Sequence, residues 1–126
     1  LWLQFAQAPL SVREHINRTI PNSTDLPLAD IGEPYNATDA RTPGLPNARY
    51  VLGGRDGDTA FVVFHAGGFV QQQHLVVLSL ADDQVRTSCV YQLPKWVRDW
   101  AALRRVLSIS TLPTSGQCAA TKPEVR

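Results

Sequence analysis

The residues that could do chemistry are few: three histidines, two cysteines and 11 carboxylates among 126 residues. Nucleophilic catalysis needs a serine or cysteine activated by a neighbouring base. Ser79, Ser88 and Cys89 lie in apolar runs typical of strands, and no G-x-S-x-G turn occurs. Asp82 and Asp83 are better explained as turn residues than as the carboxylate pair of a hydrolase. The sequence therefore favours a non-enzymatic protein.

The two histidines of the central region do not fit a metal site. Two-residue turns would place His65 and His74 on one sheet face, but roughly 13 Å apart along the strand. That separation is too large for two ligands of one ion, and no Cys/His spacing matches a zinc site. The sequence predicts neither a metal nor a cofactor, and both histidines are interpreted as hydrogen-bonded core or rim residues.

One small-molecule alternative stays open. A crevice between the sheet and the C-terminal helix, lined by His74, Tyr91 and Trp96, would suit a small enzyme or a ligand-binding protein. A pocket in which the pKa of His74 is shifted would favour this alternative. A filled core with a large exposed apolar surface would instead favour a protein-binding domain.

The two cysteines, Cys89 and Cys118, predict a disulfide. The bond would close a loop of about 30 residues and stabilise the fold by about 3–4 kcal/mol in the chain-entropy model. It would also place the protein in an oxidising compartment. The alternative is a buried free thiol at Cys89 and an exposed one at Cys118.

The first eight residues bear on location. The chain has no methionine, and Ala6-x-Ala8 has the small residues of a signal-peptide cleavage site. Residues 1–8 are interpreted as a remnant of a signal or membrane segment, which leaves room for an upstream anchor; the alternative is a short amphipathic helix. No stretch approaches the roughly 20 apolar residues of a membrane-spanning helix. We expect an extracytoplasmic protein, whether periplasmic, membrane-anchored or secreted.

Residues 49–93 form the framework that must position these groups. Apolar runs alternate with tight turns at Asp56-Gly57, Gly67-Gly68 and Asp82-Asp83. Short turns of Asp and Gly between apolar runs are the strongest local signal for hairpins. The sequence thus predicts a meander of four antiparallel strands.

Turn length then predicts the register. If each loop has two residues, Leu52 lies opposite Phe61, Phe61 opposite His74, and His74 opposite Tyr91. His65 and His74 would share the face that contains most of the core.

A short helix precedes the meander. Ser11 and Glu14 form a capping-box pattern, and Pro21 ends the helix. Residues 21–48 then form a long proline-rich loop, of the kind that is commonly functional in compact domains.

A second helix follows the meander and begins at Pro94. Trp96, Trp100, Leu103 and Leu107 fall at helical spacing, which predicts that both tryptophans anchor the helix on the sheet. Residues 112–126 are predicted to be an irregular tail. The whole chain, residues 1–126, is expected to be one α+β domain, with an N-terminal helix, a proline-rich loop, a four-stranded antiparallel meander and a C-terminal helix on the sheet.

The charge distribution points to a protein partner. A net charge of +1 argues against a nucleic-acid binder. The long loop is acidic and contains a tyrosine beside a proline, so Asp30, Glu33, Tyr35 and Asp39 are predicted to contact a protein with a basic surface. The competing account is that the loop folds back on the basic C-terminal helix. The predicted function is a non-enzymatic binding domain: an inhibitor, an immunity-type protein or an assembly subunit.

Overall fold

A computed structural model describes residues 1–19, 27–37, 42–67, 72–93, 96–109 and 114–120, with residues 108–109 and 114–120 described by their backbone alone. A short 3-10 helix, Phe5–Gln7, precedes helix α1, Leu10–Thr19. The strands are β1 (Ala48–Asp56), β2 (Thr59–Ala66), β3 (Gln72–Ala81) and β4 (Gln84–Gln92), followed by helix α2 (Trp100–Ile109) and strand β5 (Thr114–Ala120). The predicted α+β class, with an antiparallel meander between two helices, is confirmed.

The fifth strand was not predicted. β5 pairs antiparallel with β4 and extends the sheet to the order β1-β2-β3-β4-β5. The expectation of an irregular tail over residues 112–126 is therefore wrong for residues 114–120. The small and polar residues of this strand show no alternating apolar pattern, so pairing with β4 decides its conformation rather than local propensity.

Two of the three predicted tight turns are present. Asp82 and Asp83 both have positive φ angles, 51° and 61°, as a two-residue type I′ turn requires. The β1–β2 turn lies one residue later than predicted, at Gly57 and Asp58, and Gly57 has a φ of 59°.

The third turn differs and changes the register. β2 ends at Ala66 and β3 begins at Gln72, so residues 67–71 connect them instead of a two-residue turn. Gly67 is required by close packing, because an added Cβ would lie 1.7 Å from the carbonyl oxygen of Asn36. Phe64 rather than Phe61 consequently lies opposite His74.

The later β1–β2 turn places Leu52 opposite Val63, and a bulge between Tyr50 and Leu52 then places Tyr50 opposite Phe64. His74 lies opposite Gln92, not Tyr91. A one-residue shift moves side chains to the other face of a sheet. The prediction that His65 and His74 share a face is therefore wrong.

Each face of the sheet has its own core. On one face, Val12 and Ile16 of α1 pack with Tyr50, Phe64 and Val76; we call it the α1 face. Phe5 and Ala8 are also buried in this cluster, so residues 1–8 contribute to the fold.

On the opposite face, the α2 face, Leu103 and Val106 pack with Val63, Leu75 and Val97. The predicted packing of the C-terminal helix on the sheet is confirmed. Burial of both faces is typical of strands with continuous apolar runs, such as those of β2 and β3.

Helix α2 begins at Trp100, later than predicted. Asp99 caps it: its Oδ1 accepts a hydrogen bond from Ala102 N at 2.8 Å, and its carbonyl accepts one from Leu103 N at 3.1 Å. Trp96 therefore precedes the helix, in a non-helical segment.

The tryptophans are less buried than predicted. Trp100 is 38% exposed and Trp96 is 51% exposed, so neither is the buried core anchor that helical spacing indicated. Leu103, at 1% exposure, fills that role.

The long loop is fixed to the edge of β1. Ala29 bridges to Arg49, with hydrogen bonds from Ala29 N to Ala48 O at 3.0 Å and from Tyr50 N to Ala29 O at 2.8 Å. Trp2 forms a second bridge, to Gly53. These bridges cover part of an edge strand, which reduces unwanted pairing, and they place Asp30 beside the N-terminal segment.

Candidate functional site

A cleft of about 250 Å³ lies between the 3-10 helix, α1 and residues 27–33. Its apolar lining includes Phe5, Leu10, Pro27 and Leu28, and its charged lining is Arg13, Glu14, Asp30 and Glu33. Phe5 and Leu28 are buried and form the floor. The cleft therefore combines an apolar floor with three carboxylates and one guanidinium.

Asp30 connects the loop to the N-terminal segment. Its Oδ1 accepts hydrogen bonds from Phe5 N at 2.8 Å and from Ile31 N at 2.9 Å, and its Oδ2 accepts one from Ala6 N at 3.1 Å. A carboxylate that accepts the N–H groups at the start of a helix stabilises that helix. The carboxylate of Asp30 has a structural role in this position, and together with burial it raises the pKa of Tyr50.

Glu33 stabilises the turn that presents Asp30. Its Oε1 accepts a hydrogen bond from Asp30 N at 2.7 Å, and its carbonyl accepts one from the guanidinium of Arg49 at 3.3 Å. The second carboxylate oxygen of Glu33 remains available to a group in the cleft.

Glu14 is an exposed carboxylate of the cleft without internal contacts in the described part of the chain. It lies on the outer side of α1, is exposed, and forms no hydrogen bond or ion pair with the described residues. Two neighbouring polar groups are occupied by the fold: Arg13 Nε donates to Ala8 O at 3.0 Å, and Asn17 Oδ1 accepts from Leu28 N at 2.9 Å. Glu14 can therefore meet a cation without breaking an internal contact.

The predicted loop residues separate into two groups. Asp30 and Glu33 come together in the cleft, whereas Tyr35 lies beneath Arg49, whose guanidinium carbon is 4.6 Å from the ring centre. Asp39 lies outside the described residues. Within the described part of the chain, the hydrogen bonds of this loop run to the N-terminal segment and β1, not to the C-terminal helix as the competing account expected.

The predicted crevice near His74 does not form. His74 lies on the α1 face, where its ring is 5.3 Å from that of Phe64, while Tyr91 and Trp96 lie on the α2 face. The predicted juxtaposition of His74, Tyr91 and Trp96 is wrong because His74 lies opposite Gln92 of β4, which places Tyr91 on the other face of the sheet. Burial lowers the pKa of His74, and its Nε2 has no hydrogen-bond partner among the described residues.

Sequence reasoning missed a polar cluster on the α2 face. Gln73 is buried and bonds to both backbone groups of Val97, donating from Nε2 to the carbonyl at 2.6 Å and accepting at Oε1 from N–H at 2.7 Å. Its Nε2 also lies 2.8 Å from Nε2 of His65. Burial, Arg49 and Arg98 lower the pKa of His65 to about 4, so the neutral ring accepts this hydrogen bond near neutral pH.

The α2 face also has an exposed apolar surface, formed by Trp96, Trp100 and Leu107. The ring of Trp96 meets His65 edge-on at 4.4 Å between centroids, and the ring of Trp100 lies 5.1 Å from that of Phe61. We call these three residues the aromatic surface. The two rings thus lie along the same face of β2, over residues that are four positions apart in the strand.

The two cysteines of the chain lie on neighbouring strands: β4 and β5 place Cys89 opposite Cys118. Among the described residues, no three His, Cys, Asp or Glu side chains are grouped as metal ligands would be. The described helices are all too short or too polar to cross a membrane. No family model, no curated protein and no solved structure matches this chain.

Proposed function

We propose that this chain is a non-enzymatic, extracytoplasmic protein-binding domain, and that its cleft receives a basic side chain of the partner. The observation that carries the proposal is the placement of Glu14, Asp30 and Glu33 around an apolar floor of Phe5 and Leu28. A lysine or arginine has an apolar stem and a charged head, which match such a site.

The size of the cleft favours a side chain over a metabolite. Its volume is about 250 Å³, whereas small-molecule sites usually enclose roughly 300–1,000 Å³. The stem of a basic side chain would contact Phe5 and Leu28, and its head would meet the free carboxylate of Glu14 and the second oxygen of Glu33.

The roles of the carboxylates support binding rather than catalysis. Asp30 accepts three backbone hydrogen bonds, so its oxygens are occupied by the fold itself. His65 and His74 belong to other parts of the sheet. An inhibitor, an immunity-type protein or an assembly subunit would each use such a preformed acidic cleft.

The extracytoplasmic location is supported by the two cysteines. Directly opposite residues of antiparallel strands have Cα atoms about 4.5–5.5 Å apart, which lies within the range of about 4.4–6.8 Å that a disulfide needs. Cys89 and Cys118 occupy such a pair. We propose that they are bonded, as cysteines of extracytoplasmic proteins commonly are.

The cleft can be tested with immobilised peptides in which a central arginine or lysine is flanked by leucines. Matched peptides have norleucine at the centre, which keeps the stem and removes the charge. We expect the basic peptides alone to bind, and Glu14→Gln to weaken binding about two- to fivefold, the effect of a partly exposed ion pair. Asp58→Asn, outside the cleft, is the control.

Three results would contradict the proposal. Equal binding of the norleucine peptides would show that no cation is recognised. Unchanged affinity in Glu14→Gln, or an equal loss in Asp58→Asn, would show that the cleft is not the site.

A further inference from the structure

We infer that the basic partner is a second copy of this chain: its aromatic surface lies over the cleft and the adjacent Arg98 enters it, so that molecules associate head to tail. This inference rests on the proposed function of the cleft, and it identifies the occupant. It begins from Trp96 and Trp100, which are 51% and 38% exposed although they are large and apolar.

The segment before α2 presents an apolar and a basic side chain together. Val97 is buried, whereas Trp96 and Arg98 on either side of it are exposed. Side chains alternate in an extended chain, so Trp96 and Arg98 point outward while Val97 points to the core. This pair has the chemistry that the cleft should accept, an apolar body beside a cation.

The pair is held in place before binding. Gln73 fixes both backbone groups of Val97, and the ring of Trp96 contacts His65. A side chain that is already positioned loses less conformational entropy when it binds. Tryptophan and arginine are also the residues that most often dominate binding energies at interfaces.

The charges disfavour one mode of self-association and favour another. Arg98 adjoins Trp96 and Arg104 lies one helical turn from Trp100, whereas the one nearby carboxylate, Asp99, caps α2, so the net charge beside the aromatic surface is positive. Two aromatic surfaces facing each other would bring like charges together, which disfavours a symmetric dimer through this face. The acidic cleft of another copy is complementary, because three carboxylates outnumber one guanidinium there.

The fold prevents one molecule from satisfying both surfaces. The cleft adjoins α1 on one face of the sheet, and the aromatic surface lies with α2 on the opposite face. The contact must therefore join different molecules, and it is heterologous. Such a contact leaves one unused cleft and one unused aromatic surface at the ends, so it produces linear chains unless a ring closes.

The test uses the purified chain in sedimentation velocity over a range of protein concentrations, at low and at high ionic strength. We expect the mean mass to rise with concentration at low ionic strength and to return to that of a monomer at high ionic strength. Glu14→Lys and Arg98→Glu should each raise the dissociation constant about tenfold or more, since each brings like charges together.

The double variant is the decisive measurement. Glu14→Lys combined with Arg98→Glu restores opposite charges between cleft and aromatic surface, so self-association should return to within about threefold of the wild type. Arg86→Glu, an exposed substitution on β4, is the matched control and should have no effect. Thermal melts of all variants confirm that these exposed substitutions leave the fold intact.

The outcomes separate this inference from the proposal on which it rests. A chain that stays monomeric at every concentration but binds the arginine peptides would overturn the inference and leave the cleft as a site for another basic protein. Loss of both activities would overturn both. Self-association that ignores Glu14 and Arg98, or a double variant no better than the singles, would also overturn the inference.

Discussion

Gln73 and His65 are partners across two strands, with their Nε2 atoms 2.8 Å apart. The same glutamine holds both backbone groups of Val97. One buried amide therefore joins β2, β3 and the segment that leads into α2. The placement of Trp96, and with it the aromatic surface, depends on this amide.

Replacing Gln73 tests that dependence. Gln73→Leu would leave the N–H and C=O of the buried Val97 without partners, and each such group costs about 1–3 kcal/mol. We expect the free energy of unfolding to fall by about 2–4 kcal/mol in urea denaturation. Gln72→Leu applies the same substitution at an exposed neighbour and should change stability little. Equal losses in the two variants would contradict the role of Gln73.

The buried histidines predict acid sensitivity. The pKa of His65 is lowered from 6.5 to about 4, and burial also lowers the pKa values of His15 and His74. The unfolded chain therefore binds protons at a higher pH than the folded one. Stability from these groups is fully present above pH 6.5 and falls as the pH drops toward 4.

Urea denaturation across this pH range measures the effect. His65→Gln should flatten the part of the profile that extends toward pH 4, where the folded His65 begins to titrate. A profile that is unchanged by this substitution would mean that His65 is solvated and protonates freely in the folded protein.

Substitutions of Asp30 and Glu14 should affect stability differently, although both residues line the cleft. Asp30→Asn weakens the acceptor of the Phe5 and Ala6 N–H groups, and loss of a helix-capping acceptor costs about 1 kcal/mol. Glu14→Gln removes a carboxylate without internal contacts and should leave the melting temperature unchanged. A stable Asp30→Asn variant would show that its hydrogen bonds do not hold the N-terminal segment.

Helical spacing predicts that Trp100 anchors α2 on the sheet, but the structure buries Leu103 more deeply. Leu103 is 1% exposed and Trp100 is 38% exposed. We expect Leu103→Ala to cost about 2–5 kcal/mol and Trp100→Ala about 1–3 kcal/mol, because Trp100 is already partly exposed to solvent. The reverse order in thermal or urea denaturation would place Trp100 in the core.

The proposed bond between Cys89 and Cys118 can be tested by thiol labelling in denaturant without reductant. We expect no label before reduction and two after it. Under reducing conditions the fold should lose about 3–4 kcal/mol if the chain-entropy model holds. Two reactive thiols in the unreduced chain would end this proposal and remove one support for an extracytoplasmic location.

Local signals were sufficient for four strands and two helices, but insufficient for β5 and for the register of the sheet. The meander and both helices follow from turn residues, apolar runs and spacing. The longer connection after Ala66 has no local signature, because it depends on the packing of Gly67 against the distant Asn36. This connection places His65 and His74 on opposite faces, and a register shift between β3 and β4 places Tyr91 opposite Leu75 rather than His74.

The candidate site was predicted only in part. Asp30 and Glu33 were identified from the acidity of the loop, but Glu14 was assigned only to a helix cap. Glu14 lines the cleft only because the loop packs beside α1, where Leu28 N donates a hydrogen bond to Asn17 Oδ1. The burial of Gln73 could not be predicted, since the sequence does not distinguish a buried glutamine in a strand from an exposed polar residue at a strand end.

The separation of the two cores by the sheet has a consequence for local opening. Among the side chains that the structure describes, the α1-face cluster and the α2-face cluster have no buried residue in common. Helix α2 can therefore detach while α1 stays packed, and amide hydrogen exchange should show two cooperative units rather than one. In this partly open form, Trp96 and Trp100 would leave the sheet together. The apolar residues of β2 on the α2 face would then be exposed to water. Aggregation of the chain would therefore begin from this minor species.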